Sequence, residues 1–290
     1  PHRCASLFFG RNEEGGIRCV YHGWKFDVDG NCVEMSSEPP GSSFMEKVKI
    51  KAYPVKECAG LLFAYMGPDP AKAPLLPRWD VLARDDAKRN IIVLPIHNRN
   101  WLQIQENTVD TIHTYYLHGH MSVMKNLPTL AQGGYFYRPI TGFDWAVCRW
   151  GIEKTCTYGG DKSELEVRPP LLFPNILRIP EGPIEALHFR VPVDDVNTNL
   201  YWLNCRPLQK GAKKQDVAPI WDNPWANEEG RYIPDQLNAQ DMMVMISQGD
   251  ITDHTTENLV EGDRGVVLYR RTLLAEIEKV ERGEDPLGVI

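Results

Sequence analysis

Residues 10–27 read Gly10-Arg11-Asn12-Glu13-Glu14-Gly15-Gly16-Ile17-Arg18-Cys19-Val20-Tyr21-His22-Gly23-Trp24-Lys25-Phe26-Asp27. Within this run Cys19 and His22 form a C-x-x-H spacing where two strand-like segments, 17–21 and 24–28, meet. Sixteen residues separate His2 from Cys19. Two loops that each offer one thiolate and one imidazole would hold a [2Fe–2S] cluster with cysteines on one iron and histidines on the other. Replacing two thiolates by neutral imidazoles removes negative charge and raises the cluster potential, to roughly −150 to +300 mV. The first half-site should read C-x-H, which places its cysteine just before Pro1; Cys4 is the rival. Alone, Cys19 and His22 would also suit a zinc site or the core of a β domain. Trp24 is expected to shield the cluster, or else to be an ordinary core aromatic.

Further strands are expected at 32–35, 48–52 and 61–66. Asp29-Gly30 marks a tight hairpin, because a two-residue turn needs positive φ. The prolines of Gly67-Pro68-Asp69-Pro70, Pro74 and Pro77 punctuate a linker. The expected organisation is an iron–sulfur module over 1–66, a linker over 67–90 and a second domain over 91–290. Both ends read as cut from a longer polypeptide.

The second domain mixes helical periodicity over 101–117, strands that include 184–191 and 200–204, and two late helices. On the last helix Val266, Val267, Leu273, Leu274, Ile277 and Val280 are assigned to one apolar face. Strands then helices without βαβ alternation make the fold class α+β.

Its motif is Asn107-x-x-Asp110-x-x-His113-x-x-x-x-His118. On a helix Asn107, Asp110 and His113 share a face, so Asp110 can accept a hydrogen bond from an imidazole. His118 would lie ~140° from His113 on an ideal helix. The helix must therefore end or bulge before His118, and Gly119 favours an ending. Two histidines with a carboxylate from elsewhere make the facial triad that binds ferrous iron. His120 competes with His118. Asp241 interrupts an apolar face over 237–245, where an unpaired carboxylate would be costly and a metal would offset the cost. Asp235, Asp250, Asp253 and Asp263 have polar neighbours.

Composition sets outer bounds. With 290 residues, 42% hydrophobic and 24% charged, the chain can hold two domains. A net charge of −7 without a basic cluster argues against nucleic acid. Seven scattered cysteines do not suggest a disulfide framework, and no run approaches the ~20 apolar residues of a membrane span. A cytoplasmic location is expected.

The run 10–27, the histidine motif, their order and the tail from Ser247-Gln248-Gly249-Asp250 through Asp263-Arg264-Gly265 and Arg270-Arg271 resemble Rieske non-haem iron ring-hydroxylating oxygenases. The likeness is to large (alpha) subunits of the phthalate 4,5-dioxygenase type, over nearly the whole chain. It implies an all-β Rieske domain joined to a helix-grip (START-like) catalytic domain. The implied cluster ligands are His2, Cys19 and His22, and the implied ligands of a mononuclear non-haem Fe(II) are His113, His118 and Asp241. Asp110 is implied as the bridge between His22 of one subunit and His113 of the next. The implied partners are a flavin and iron–sulfur reductase using NADH, an aromatic, carboxylated substrate, O₂, and two further copies in a homotrimer. Cys4 departs from the small residue, such as Gly, expected at its position. Ring hydroxylation and O-demethylation remain alternatives, as does an electron-transfer protein with a ligand-binding domain.

Overall fold

A computed structural model describes residues 2–121, 135–160, 164–179 and 185–289. The chain divides into two compact units, Pro1–Leu76 and Pro77–Ile290.

The first unit is built on short strands: β1 (Arg11–Glu13), β2 (Gly16–Arg18), β3 (Lys25–Phe26), β4 (Cys32–Glu34), β5 (Val55–Cys58) and β6 (Leu61–Ala64). β1 to β4 form one antiparallel sheet in chain order, and β5 pairs with β6. Trp24, Phe26, Cys32 and Met35 make its core, with Ile17, Val48 and Ile50 packed against them. Gly30, at φ 83°, turns β3 into β4, and a Cβ there would stand 2.1 Å from the Ile50 carbonyl oxygen. The strand expected at 48–52 is not formed; that stretch contributes only the bridge between Lys49 and Asn31. Its alternating apolar residues pack on the core without joining a ladder.

The second unit begins earlier than the linker expected over 67–90 would allow. It contains α1 (Asp80–Ala83) and β7 (Ala87–Ile96), so both lie partly or wholly inside the expected linker. The polar Lys88-Arg89-Asn90 hides the start of a strand whose apolar residues come later. There follow α2 (Trp101–Val109), a π-helix (Thr114–His120), β8 (Ile140–Cys148), β9 (Gly151–Tyr158), β10 (Leu165–Val167), β11 (Leu171–Leu172), β12 (Ile176–Ile179), β13 (Glu185–Asp194), β14 (Asn197–Pro207), β15 (Ile220–Trp221), α3 (Leu237–Ser247) and α4 (Arg264–Glu281). The strand expected at 184–191 is β13, apart from residue 184, which lies outside the described residues.

One sheet runs β10-β9-β11-β12-β13-β14-β7-β15, with β8 on β9. Every pairing in it is antiparallel except β15 with β7. The architecture is α+β, as the order of elements suggested. α3 packs Met242 and Met245 on Ile92, Leu94, Ile104 and Leu200, while α4 packs Val266 and Tyr269 on Val109, Trp145 and Ile152. The apolar face expected along α4 is only partly used, since Leu274, Ile277 and Val280 are exposed. No helix among the described residues is long and apolar enough to cross a membrane.

Candidate metal centre and its cavity

The helical periodicity of 101–117 does not yield one helix. α2 stops at Val109, Asp110 is extended at ψ 132°, and the π-helix starts after His113. A π-helix closes its hydrogen bonds five residues apart, so the five-residue step from His113 to His118 becomes about one turn. The two rings consequently meet, with centroids 5.2 Å apart. The bulge anticipated before His118 takes this form, and the chain continues helically through Gly119.

Asp241 arrives from the first turn-and-a-half of α3. Its Oδ1 lies 3.3 Å from His118 Nε2 and 3.9 Å from His113 Nε2. One donor atom from each of the three residues falls within 4.8 Å of the others. The opposite ring nitrogens are both engaged: His113 Nδ1 lies 3.0 Å from Asp110 Oδ2, and His118 Nδ1 lies 2.8 Å from Gln240 Oε1. Each acceptor favours a proton on Nδ1 and leaves the Nε2 lone pair facing Asp241, which is the donor set a divalent metal takes. Asn107 Nδ2 reaches Asp241 Oδ1 at 3.4 Å. Burial alone would raise the Asp241 carboxyl, but His118, His113 and Arg190 outweigh it and hold the pKa down at about 2. Burial would lower His118; Asp241 and Gln240 reverse this and raise it.

The rivals stand elsewhere. His120 is exposed against Tyr115 and Tyr116, and Asp235 is exposed. Glu257 groups with Glu106 and His254, but Arg270 already bonds both carboxylates, so a guanidinium takes the place a cation would fill.

A cavity of about 230 Å³ opens on the three residues. Phe136, Leu177, Leu200 and Trp202 supply apolar wall, and Lys154, His188 and Arg190 are buried polar members. His188 and Arg190 alternate along β13, and His188 stacks on Trp202 of β14 at 4.4 Å. Burial lowers all three bases: Lys154 to about 8, Arg190 to about 10, and His188 well below its usual range. Arg190 Nε and Trp202 Nε1 are buried donors without a hydrogen-bond acceptor. None of Gln240, Lys154, His188 or Arg190 was marked as a site residue by the motif. Only Lys154 had a signal of its own, a charged residue at an inward position of the alternating strand β9.

In the first unit, Cys19 N donates to the Trp24 carbonyl at 2.8 Å and Gly23 N to the Cys19 carbonyl at 3.0 Å, closing the loop that carries Cys19 and His22. Ser36 Oγ donates to the His22 carbonyl at 2.7 Å. His2 meets His22 edge-on with centroids 4.7 Å apart and stacks on Trp24 at 4.3 Å. Trp24 is buried and donates to Ser37 Oγ at 2.7 Å. His22 Nδ1 is buried without a hydrogen-bond partner, as a nitrogen reserved for a metal would be. Among the described residues His2, Cys19 and His22 do not make a single-ion shell. Cys4 is exposed with φ 56°, a left-handed backbone that explains why a glycine would be at ease there.

One cysteine–histidine loop pair and one centre of two histidines and a carboxylate, on separate units, are the marks of an oxygenase fed by an iron–sulfur cluster. The Rieske [2Fe-2S] domain family matches residues 1–54. The chain is 36% identical to the 5,5'-dehydrodivanillate O-demethylase oxygenase subunit of Sphingobium sp. (strain NBRC 103272 / SYK-6), over 100% of this chain and 68% of that protein. It is 32% identical to the phthalate 4,5-dioxygenase oxygenase subunit of Pseudomonas putida, over 99% of this chain and 73% of that one. In fold it resembles the terminal oxygenase of carbazole 1,9a-dioxygenase from Nocardioides aromaticivorans IC177, with TM-score 0.59 and 20% identity over 91% of this chain and 78% of the other. The chain belongs to the Rieske non-haem iron oxygenases, as an oxygenase subunit. It is an oxidoreductase of a family that uses a Rieske [2Fe–2S] cluster and mononuclear non-haem iron.

Proposed function

We propose that this subunit oxygenates an aromatic carboxylate at a ferrous ion held by His113, His118 and Asp241. The observation that carries the reading is the convergence of two Nε2 atoms on one half-buried carboxylate at the floor of a cavity. Ferrous iron in such a set keeps positions open for O₂. His2, Cys19 and His22 would hold the cluster, with Trp24 covering it. Asp110 orients His113 and is the route by which electrons reach it. Asn107 steadies Asp241.

The substrate class rests on the cavity walls. Arg190 and Lys154 bring two cations into a site whose nearest carboxylates are Asp110 and Asp241. A divalent ion added there leaves positive charge in excess, which a buried anion would balance. Dehydrodivanillate and phthalate, named for the two relatives above, are aromatic carboxylates. Further partners follow from the family reading: a flavin and iron–sulfur reductase drawing on NADH, a homotrimeric assembly and a cytoplasmic setting.

Dihydroxylation and O-demethylation share this site and differ in which carbon the walls bring to the metal. Turnover of methoxylated and unsubstituted aromatic carboxylates, with a reductase, NADH and O₂, separates them: formaldehyde release marks demethylation, a cis-diol marks dihydroxylation. Oxidation of neutral aromatics alone would overturn the carboxylate assignment. Absence of a third iron beside the two of the cluster would overturn the oxygenase centre.

A further inference from the structure

The carbonyls at the end of α2 lack intrahelical donors, as at any helix C-terminus. Three successive ones are met by two side chains from the sheet. Lys154 Nζ donates to the Thr108 carbonyl at 2.6 Å and to the Asp110 carbonyl at 3.3 Å, and Trp145 Nε1 donates to the Val109 carbonyl at 2.8 Å. Both side chains are buried. α4 passes directly over this grip at Gly265, where a Cβ would stand 2.3 Å from Trp145 Nε1 and 2.8 Å from the Val109 oxygen.

The position of Lys154 in its strand is otherwise apolar: Ile152 and Cys156, its neighbours on the inward face of β9, are both buried. An ammonium there is desolvated, and an aliphatic residue would avoid that cost. Its hydrogen bonds go to the backbone carbonyls on either side of Val109, the last residue of α2 before the break at Asp110. The break itself is what turns the Asp110 carboxylate onto His113, through Oδ2 to Nδ1 at 3.0 Å and Oδ1 to the Ile112 amide at 2.8 Å.

We infer that Lys154 is a positioning residue: by holding the Thr108 and Asp110 carbonyls it fixes the helix break, and through Asp110 it sets the ring of His113. Trp145 is the second member of the grip. The inference rests on the reading of His113 as an iron ligand. Lys154 also lines the cavity, so the rival role is direct contact with a substrate anion, and the two roles load different kinetic constants.

The test uses Lys154→Met, Lys154→Arg and Trp145→Phe in the full oxygenase with its reductase. Ferrous affinity is measured by titrating iron-stripped protein, ligand geometry by the EPR spectrum of the ferrous protein treated with nitric oxide, and turnover as kcat and KM separately. For Lys154→Met the expected result is a ~10- to 100-fold fall in kcat, a KM within about twofold of the parent, and a broadened EPR signal. Lys154→Arg should recover part of kcat, and Trp145→Phe should shift the same readouts by a smaller amount. A raised KM with unchanged kcat and EPR signal would assign Lys154 to the substrate instead. Unchanged values throughout would remove the role. Should Lys154→Met not fold, Trp145→Phe decides by the same readouts. Failure of the parent protein to bind ferrous ion at all would refute the iron reading itself, a result distinct from any of these.

Discussion

His118 Nδ1 lies 2.8 Å from Gln240 Oε1, and Gln240 is the residue immediately before the carboxylate that faces the same ring's other nitrogen. α3 therefore delivers both the orienting group and the third donor from adjacent positions. The Gln240 amide is itself pinned, its Nε2 donating to the Pro234 carbonyl at 2.7 Å. Gln240→Leu keeps the volume but removes the acceptor, leaving a buried N–H unmet. Ferrous affinity should fall ~10- to 100-fold, with the cluster spectrum unchanged. Iron titration checks it, and parental affinity would mean that packing alone holds the ring.

Asp110→Asn separates charge from shape. Asp110 accepts from Ile112 N through one oxygen and faces His113 Nδ1 with the other. An asparagine keeps only one oxygen. It must either present its NH₂ to a ring nitrogen that also carries a proton, or surrender the Ile112 bond. Both metals should remain, while turnover falls ~100-fold or more. Parental rates with full metal content would rule out the orienting role, and loss of iron would make Asp110 a structural support of the site.

Arg190→Gln tests the substrate class. Arg190 Nη1 donates to the His188 carbonyl at 3.0 Å, while its Nε is buried without an acceptor. A charge-assisted hydrogen bond to a substrate carboxylate is worth ~1.5–3 kcal/mol, or about 10- to 150-fold. KM for an aromatic carboxylate should rise by that order, and that for the matching carboxamide should change little. Equal losses on both substrates would indicate damage to the cavity wall rather than lost recognition.

How far these features could be read from the sequence depended on what kind of physics set them. The ligand residues were legible as residue types and spacings, and the conflict between a five-residue step and a 3.6-residue turn already required a break or bulge before His118. The second break, at Asp110, was not legible, because the periodicity of 101–117 runs across it. What ends α2 there is Lys154 and Trp145, brought in by β8 and β9. Strands β1 and β5 were missed because Arg11-Asn12-Glu13 and Val55-Lys56-Glu57-Cys58 carry no apolar alternation; pairing with β2 and the Arg18 bonds to Glu13 and Glu34 organise the first, and pairing with β6 the second. Buried bases such as Arg190 and His188 gave no periodic signal, since β13 is buried on both faces over much of its length.

Arg270 gives the second unit a test in acid. Its guanidinium reaches back from α4 to Glu106 of α2, at 2.6 and 2.8 Å, and to Glu257, also at 2.6 and 2.8 Å. The bridge ties α4 to the helix that carries Asn107. Hydrogen bonding to Arg270, helped by His254, overcomes partial burial and brings the Glu257 carboxyl from 4.5 down to about 2. A folded pKa below the unfolded one means that the ionised form is favoured by folding. Its contribution is thus complete above about pH 4.5 and is lost as pH falls from there toward 2. Glu257→Gln should lower the Tm near neutral pH by ~2–4 °C, the modest size reflecting partial solvent screening. As pH falls from 4.5 to 3 the gap between parent and variant should narrow, closing only toward pH 2. Thermal melts across this range check the sign: a gap that widens on acidification would show that Glu257 is not held ionised by Arg270.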